Sequence, residues 1–174
     1  MGSESNTRLG WQLQSAGRGV VQTAYQVQVT RDGKALWDTG RVASDRSVHV
    51  PYAGPALESS GRYRWRVRVW DGAGKVSAWS GPASWEMGLL QPGDWTARGI
   101  QAEGDEPAKA AQPAPMLRGA FAVKGAVRRA RAYVTSLGLY ELEINGKRVG
   151  DQLFTPGWTS YHHRLQYQTY DVTS

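Results

Sequence analysis

The chain has 174 residues, enough for one large domain or two small ones; 40% are apolar, with eight Trp and eight Tyr but two Phe. The lack of Cys excludes disulfides and thiolate metal sites, and no apolar run approaches the ~20 residues that a membrane-spanning helix needs. The net charge is +6, but the Arg residues are spread along the chain and alternate with apolar ones, which describes the wet face of a sheet and argues against a nucleic-acid patch.

The opening "MGSESNTR" has no apolar segment and does not read as a signal peptide, which leaves the compartment open between cytoplasm and secretion. In "TAYQVQVTRDGKALW", Tyr25, Val27 and Val29 recur at period two. Asp32-Gly33 follows, then a second run through Leu36 and Trp37, a hairpin signal. "DTGRVASDRSVHVPY" adds a turn and a strand around Val48 and Val50. In "GRYRWRVRVWDGAGKVSAWS", Tyr63, Trp65, Val67 and Val69 alternate with Arg62, Arg64, Arg66 and Arg68, so one face is buried and one is solvated. The loop Asp71-Gly72-Ala73-Gly74 returns the chain into a strand holding Val76 and Trp79. Without any sustained helical spacing, residues 1–90 read as a fibronectin type III-like, immunoglobulin-like β-sandwich. Arg64, Arg66 and Arg68 line one strand of it. We expect Trp79 to stack between at least two of these guanidinium groups, each contact contributing about 0.5–1 kcal/mol.

Residues 91–115 form a connecting segment. "QPGD" breaks the strand pattern, "WTARGI" reads as a short strand, and "QAEGDEPAKAAQPAP" reads as an exposed loop. A second β region covers 116–174. "APMLRGAFAV" and "VRRARAYVTSLG" are strand-like. "LYELEINGKRVGD" with Asn145-Gly146 in a two-residue turn sets Ile144 against Lys147, Glu143 against Arg148, and Leu142 against Val149. The Glu143–Arg148 ion pair would contribute roughly 0.2–1 kcal/mol. "TPGWTSY" is a loop and "HRLQYQTYDV" is the last strand. The region reads as the start of a second, truncated, jelly-roll-like sandwich, and the whole chain as all-β.

Candidate chemistry is sparse. Glycoside hydrolysis needs two carboxyl groups about 5–9.5 Å apart. Glu141 and Glu143 share one strand face at roughly 7 Å, but they project in parallel from a hairpin flank with no opposing wall, and Glu143 has Arg148 beside it. We expect no catalysis from them. His162 and His163 are neighbours on a strand and point to opposite faces, and His49 is distant in sequence, so no metal site is expected. Asp151 and Asn145 are oxygen-bearing, but no D-x-[DN]-x-[DN]-G loop for calcium exists. Trp158, with Tyr161 nearby, offers aromatic rings on which a sugar could stack; the plainer alternative is a Trp that plugs the sandwich or docks on a neighbouring domain.

The order of the segments carries more than any one of them. "WQLQS", "RGVVQTAYQVQV", "LWDTGRVASDRS", "YRWRVRVWD", "SAWSGPASWEMGLL" and "DWTARGI" resemble the amino-terminal region of bacterial α-L-rhamnosidases of glycoside hydrolase family 78. "YVTSLGLYELEINGKRVGD" and "FTPGWTSYHHRLQYQTYDVT" resemble the domain that follows it there. The resemblance implies a non-catalytic accessory part of such an enzyme. Its rhamnoside-cleaving carboxylate pair, an inverting one, would lie downstream in an (α/α)6 barrel. It implies the remainder of the parent glycosidase and rhamnose-containing glycans as partners, with neither nucleic acid nor membrane. No cofactor is expected, although some relatives carry a calcium-assisted sugar-binding module in this region. The unfinished second sandwich is expected to expose an edge, and residues 116–174 are expected either to pair with another copy of the chain or to be less ordered than residues 9–90. The competing reading is a stand-alone β-sandwich that binds carbohydrate or mediates adhesion.

Overall fold

In this computed structural model residues 7–102 and 113–173 are described. The tag-like first residues, most of the loop assigned to 101–115, and Ser174 lie outside them. The chain divides into two compact units, Met1–Thr96 and Ala97–Ser174.

The first unit is built on two ten-residue strands, β2 (Gln22–Arg31) and β6 (Arg62–Asp71), with β1 (Arg8–Leu9), β3 (Lys34–Asp38), β4 (Val42–Ala43), β5 (Val50–Pro51) and β7 (Ala83–Glu86) around them. The antiparallel order is β3-β2-β6-β7, with β4 also on β2, and β1 pairs with β5 in a second sheet. Alternation along the two long strands decides which side faces the core. Tyr25, Val27 and Val29 from β2 and Tyr63 and Val67 from β6 are buried, and Leu9, Val50 and Leu57 join them from the other side. The rings of Tyr63 and Trp85 stack at 5.2 Å. The β2–β3 turn has positive φ at both Asp32 and Gly33, the geometry that Asp-Gly favours in a twisted hairpin.

One expected strand of this unit is absent, and the one expected around Val48 and Val50 is shortened to β5. Val76 makes a single bridge to Trp70 and no strand follows. Instead Ser77 and Ser80 donate their N–H groups to the Val69 and Val67 carbonyls, each at 2.8 Å. Their hydroxyls then accept the N–H groups of Val69 and Val67, both at 3.1 Å. Serine side chains thus stand where the carbonyls of a regular strand would. Val48 is 58% exposed, because His49 at φ 53° turns the chain between Val48 and Val50. "WTARGI" forms no strand either, and Ile100 is exposed.

The second unit has two small antiparallel sheets. β8 (Arg131–Val134) pairs with β11 (Gln168–Asp171), and β9 (Glu143–Ile144) pairs with β10 (Lys147–Arg148). The hairpin has the expected register, Ile144 against Lys147 and Glu143 against Arg148, and both Asn145 and Gly146 have positive φ. The ion pair is displaced. The Arg148 guanidinium approaches Glu141 at 3.7 Å, where Glu143 was expected. It also donates to the Gln152 carbonyl at 3.0 Å, which draws the side chain along the strand away from the turn. "APMLRGAFAV" is not a strand: with no pairing strand among the described residues, Met116 and Phe121 stay exposed. The last strand is four residues long, since His162 and His163 belong to a turn in which the His163 and Arg164 N–H groups both reach the Ser160 carbonyl.

Candidate functional site

The solvated face of β2 and β6 carries an ordered network. The Arg66 and Arg68 guanidinium carbons lie 4.6 and 4.8 Å from the Trp79 ring centroid. Arg68 also lies over Trp70, which Arg41 approaches too. Gln28 accepts two N–H bonds from Arg66, and Gln26 accepts one from Arg68. Both Gln side chains then donate to Asp38 at 2.7 Å. Burial pushes the Asp38 carboxyl up, but the bonds from Gln26, Gln28 and the Gly40 N–H, with the nearby Arg68 charge, outweigh it and hold the group below its ordinary value. Arg64 does not take part. It stands two positions beyond Arg66, roughly 7 Å along the strand, opposite Thr30 and Ser84. Each member of the Arg66–Arg68–Trp79 group is held by others on the same sheet, so the arrangement locks a face. The Gln residues and Asp38 were legible only in hindsight: alternate Gln opposite alternate Arg is the signal, and it requires the strand register.

Trp158 and Tyr161 lie together on the second unit. Their ring centroids are 6.2 Å apart at an interplanar angle of 33°. Trp158 is 82% exposed; it neither plugs the unit nor packs within it. Tyr161 is fixed from behind, its hydroxyl oxygen accepting the Gly138 N–H at 2.8 Å. The loop is anchored at its start by Thr155, buried, whose hydroxyl donates to the Tyr140 carbonyl and whose carbonyl accepts the Tyr140 N–H. Thr159 donates to the Arg164 carbonyl at 2.6 Å. Burial, and then the hydrogen bond to Tyr170, push the Tyr140 phenol well above its usual range. That Tyr140–Tyr170 pair escaped sequence reasoning, because no local pattern links residues 30 positions apart. The two anchors place the segment Leu137–Tyr140 beside the Trp158 loop. Leu137, Leu139, Leu153, Phe154 and Leu165, in the segments that these bonds join, are exposed.

Residues 2–91 match the family described as Rha78A-like, N-terminal immunoglobulin domain, and residues 125–174 match the α-L-rhamnosidase N-terminal domain. The chain belongs to the α-L-rhamnosidase family. An α-L-rhamnosidase from an Alteromonas species is 36% identical to it, covering 98% of this chain and 20% of that protein. One from Streptomyces avermitilis is 48% identical over 56% of this chain and 10% of its own length. The solved α-L-rhamnosidase from Dictyoglumus thermophilum superimposes with a TM-score of 0.81 at 33% identity, covering 94% of this chain and 20% of that one. This family member therefore spans about a fifth of the relatives it matches along its length, and it aligns with their amino-terminal regions.

The other candidates stay apart. Glu141 and Glu143 are both exposed, and Glu141 is engaged by Arg148. His49, His162, His163 and Asp151 are exposed, and no group of three or more His, Cys, Asp or Glu side chains able to hold a metal ion occurs among the described residues. Asn145 is accounted for by its turn.

Proposed function

We propose that this chain serves an α-L-rhamnosidase as an amino-terminal accessory region: it braces the rest of the enzyme and performs no hydrolysis itself. The observation that carries the reading is the uncovered apolar surface of the second unit around Leu139 and Phe154, 54% and 77% exposed, in a chain that aligns with a fifth of its relatives. Surface of this kind is where another protein surface docks. The test is a chimera in which this chain replaces the matching fifth of the Alteromonas enzyme. The chimera should hydrolyse an aryl α-L-rhamnoside. Leu139→Asp or Phe154→Asp should lower its melting temperature without lowering that of the isolated chain. A chimera indifferent to these charges would remove the bracing role, and turnover by the isolated chain would remove the non-catalytic one.

The exposure of Trp158 favours a second reading, contact with rhamnose-containing glycans through the Trp158–Tyr161 pair. Tyr161 is held in place by Gly138 and Trp158 presents its ring to solvent, a preformed surface for the apolar face of a sugar. Millimolar L-rhamnose should change the fluorescence of the wild-type chain and leave Trp158→Ala unchanged; a flat wild-type titration ends the idea.

A further inference from the structure

The Arg stripe of β6 is two things, not one. Arg66 and Arg68 have their acceptors in Gln28 and Gln26 and their aromatic cover in Trp79. One repeat further on, this provision stops. Opposite Arg64 the β2 position is Thr30, whose hydroxyl is a weak substitute for a Gln carbonyl, and the β7 position is Ser84. Neither Arg62 nor Arg64 forms a side-chain hydrogen bond or ion pair among the described residues. Both line a half-open depression of about 320 Å³ with Thr30 and the turn residues Asp32 and Gly33, at the small end of ligand pockets, which run roughly 300–1,000 Å³.

We propose that this depression binds a sugar acid, a uronate residue of an acidic glycan, with Arg64 and Arg62 holding its carboxylate and Asp32 and Thr30 its hydroxyl groups. The lining decides the ligand class. Two guanidinium groups with spare planar donors match a carboxylate, which they can take in paired hydrogen bonds. Asp32 at the same rim, 3.7 Å from Arg31, repels a compact multivalent anion such as phosphate, but it accepts hydrogen bonds from hydroxyl groups. A ligand that carries one carboxylate and several hydroxyls satisfies both ends; acetate satisfies one. Glu86 stands opposite Arg62 in register, so Arg64 is the stronger of the two carboxylate contacts. The site is on the first unit and stands independently of the Trp158 reading and of the bracing role.

The test is titration of the full 174-residue chain with D-glucuronate and D-galacturonate, followed by calorimetry or amide chemical shifts. Saturable binding in the millimolar range is expected, weakened by added salt. Acetate and inorganic phosphate should bind at least several-fold more weakly, and glucose should give no saturation. Arg64→Gln should lose roughly tenfold in affinity, the loss expected of a charge-assisted bond. Arg64→Lys should fall between, and Arg18→Gln, on an exposed loop, should be unchanged. All three variants should keep the wild-type melting temperature, since Arg18 and Arg64 are exposed. Absence of uronate binding, equal binding of acetate or phosphate, or affinity retained in Arg64→Gln would each overturn the proposal.

Discussion

Trp79 covers Arg66 and Arg68 at once, and its neighbours Ser77 and Ser80 tie its segment to β6. Two cation–π contacts at about 0.5–1 kcal/mol each predict that Trp79→Ala lowers the unfolding free energy by about 1–2 kcal/mol, read from urea denaturation of the chain. A loss below a few tenths would mean that the Gln26–Gln28–Asp38 bonds alone hold the stripe. The stack could be proposed at residue level because alternating Arg put three guanidinium groups on one face, within reach of a Trp on the returning segment. That Trp79 lies on that face depended on the register, since a slip of one residue would have turned it to the other side. The Asp38 anchor could not, since it lies on β3 and its partners depend on where the β2–β3 register falls.

The same carboxylate titrates with others held below their ordinary values. Glu58 is lowered by its hydrogen bond and charge contact with Arg31; Asp94 by the Ser59 hydroxyl and the Gln91 and Leu90 N–H groups; Asp171 by Thr173 and then Arg131. A folded-state value below the unfolded one means that the unfolded chain binds the proton first, so stability is fully present above the unfolded carboxylate range, about 3.9–4.3. It is lost as pH falls through the folded values. The melting temperature should therefore hold from pH 7 to about 5 and drop below about 4, the range in which these carboxylates protonate. Asp38→Asn, which cannot titrate there, should show a shallower drop. An identical acid limb in that variant would exclude Asp38 from the linkage.

At the scale of elements, the two hairpins were legible because everything that fixes them is local: a two-residue turn that needs positive φ and a register that follows from it. The segment 76–80 was not, because its serines replace strand carbonyls by side-chain oxygens, a substitution that leaves the apolar spacing of a strand intact. The two glycines that flank β10 offer a sharper comparison. Gly146 and Gly150 both have positive φ, but a Cβ on Gly146 meets nothing within 4 Å, whereas on Gly150 it would lie 2.5 Å from the Tyr170 ring. Tyr170 is the buried centre of β11 and bonds to Tyr140. Gly146→Ala should cost about 1–2 kcal/mol from backbone strain alone. Gly150→Ala should cost more and also alter the near-ultraviolet circular dichroism of the Tyr140–Tyr170 pair. Equal melting temperatures in the two variants would show that Tyr170 moves aside freely.

For the molecule as a whole, the contrast between the units decides behaviour in solution. The first buries a cluster of eight residues from β1, β2, β5, β6 and the segment between β5 and β6. In the second, Tyr170 is the buried hydrophobic residue among the described ones, while Phe121, Leu137, Phe154 and Trp158 are each more than 70% exposed. Family membership was legible from the order of segments, but this imbalance was not, since the alternation in "APMLRGAFAV" promises a buried face that no described strand covers. Apolar surface on this scale seeks a cover. For the isolated chain, we propose a second copy as that cover. The isolated chain should therefore sediment as a concentration-dependent mixture of monomer and larger species. Because the contact is apolar, moderate sulfate should strengthen it, whereas association through the net charge of +6 would respond to salt in other ways. Phe154→Asp combined with Leu139→Asp should shift the distribution to monomer and leave the first unit's unfolding transition in place. A wild-type chain that stays monomeric at hundreds of micromolar would show that these side chains are tolerated bare, and would turn attention from docking to the sugar contact proposed for Trp158.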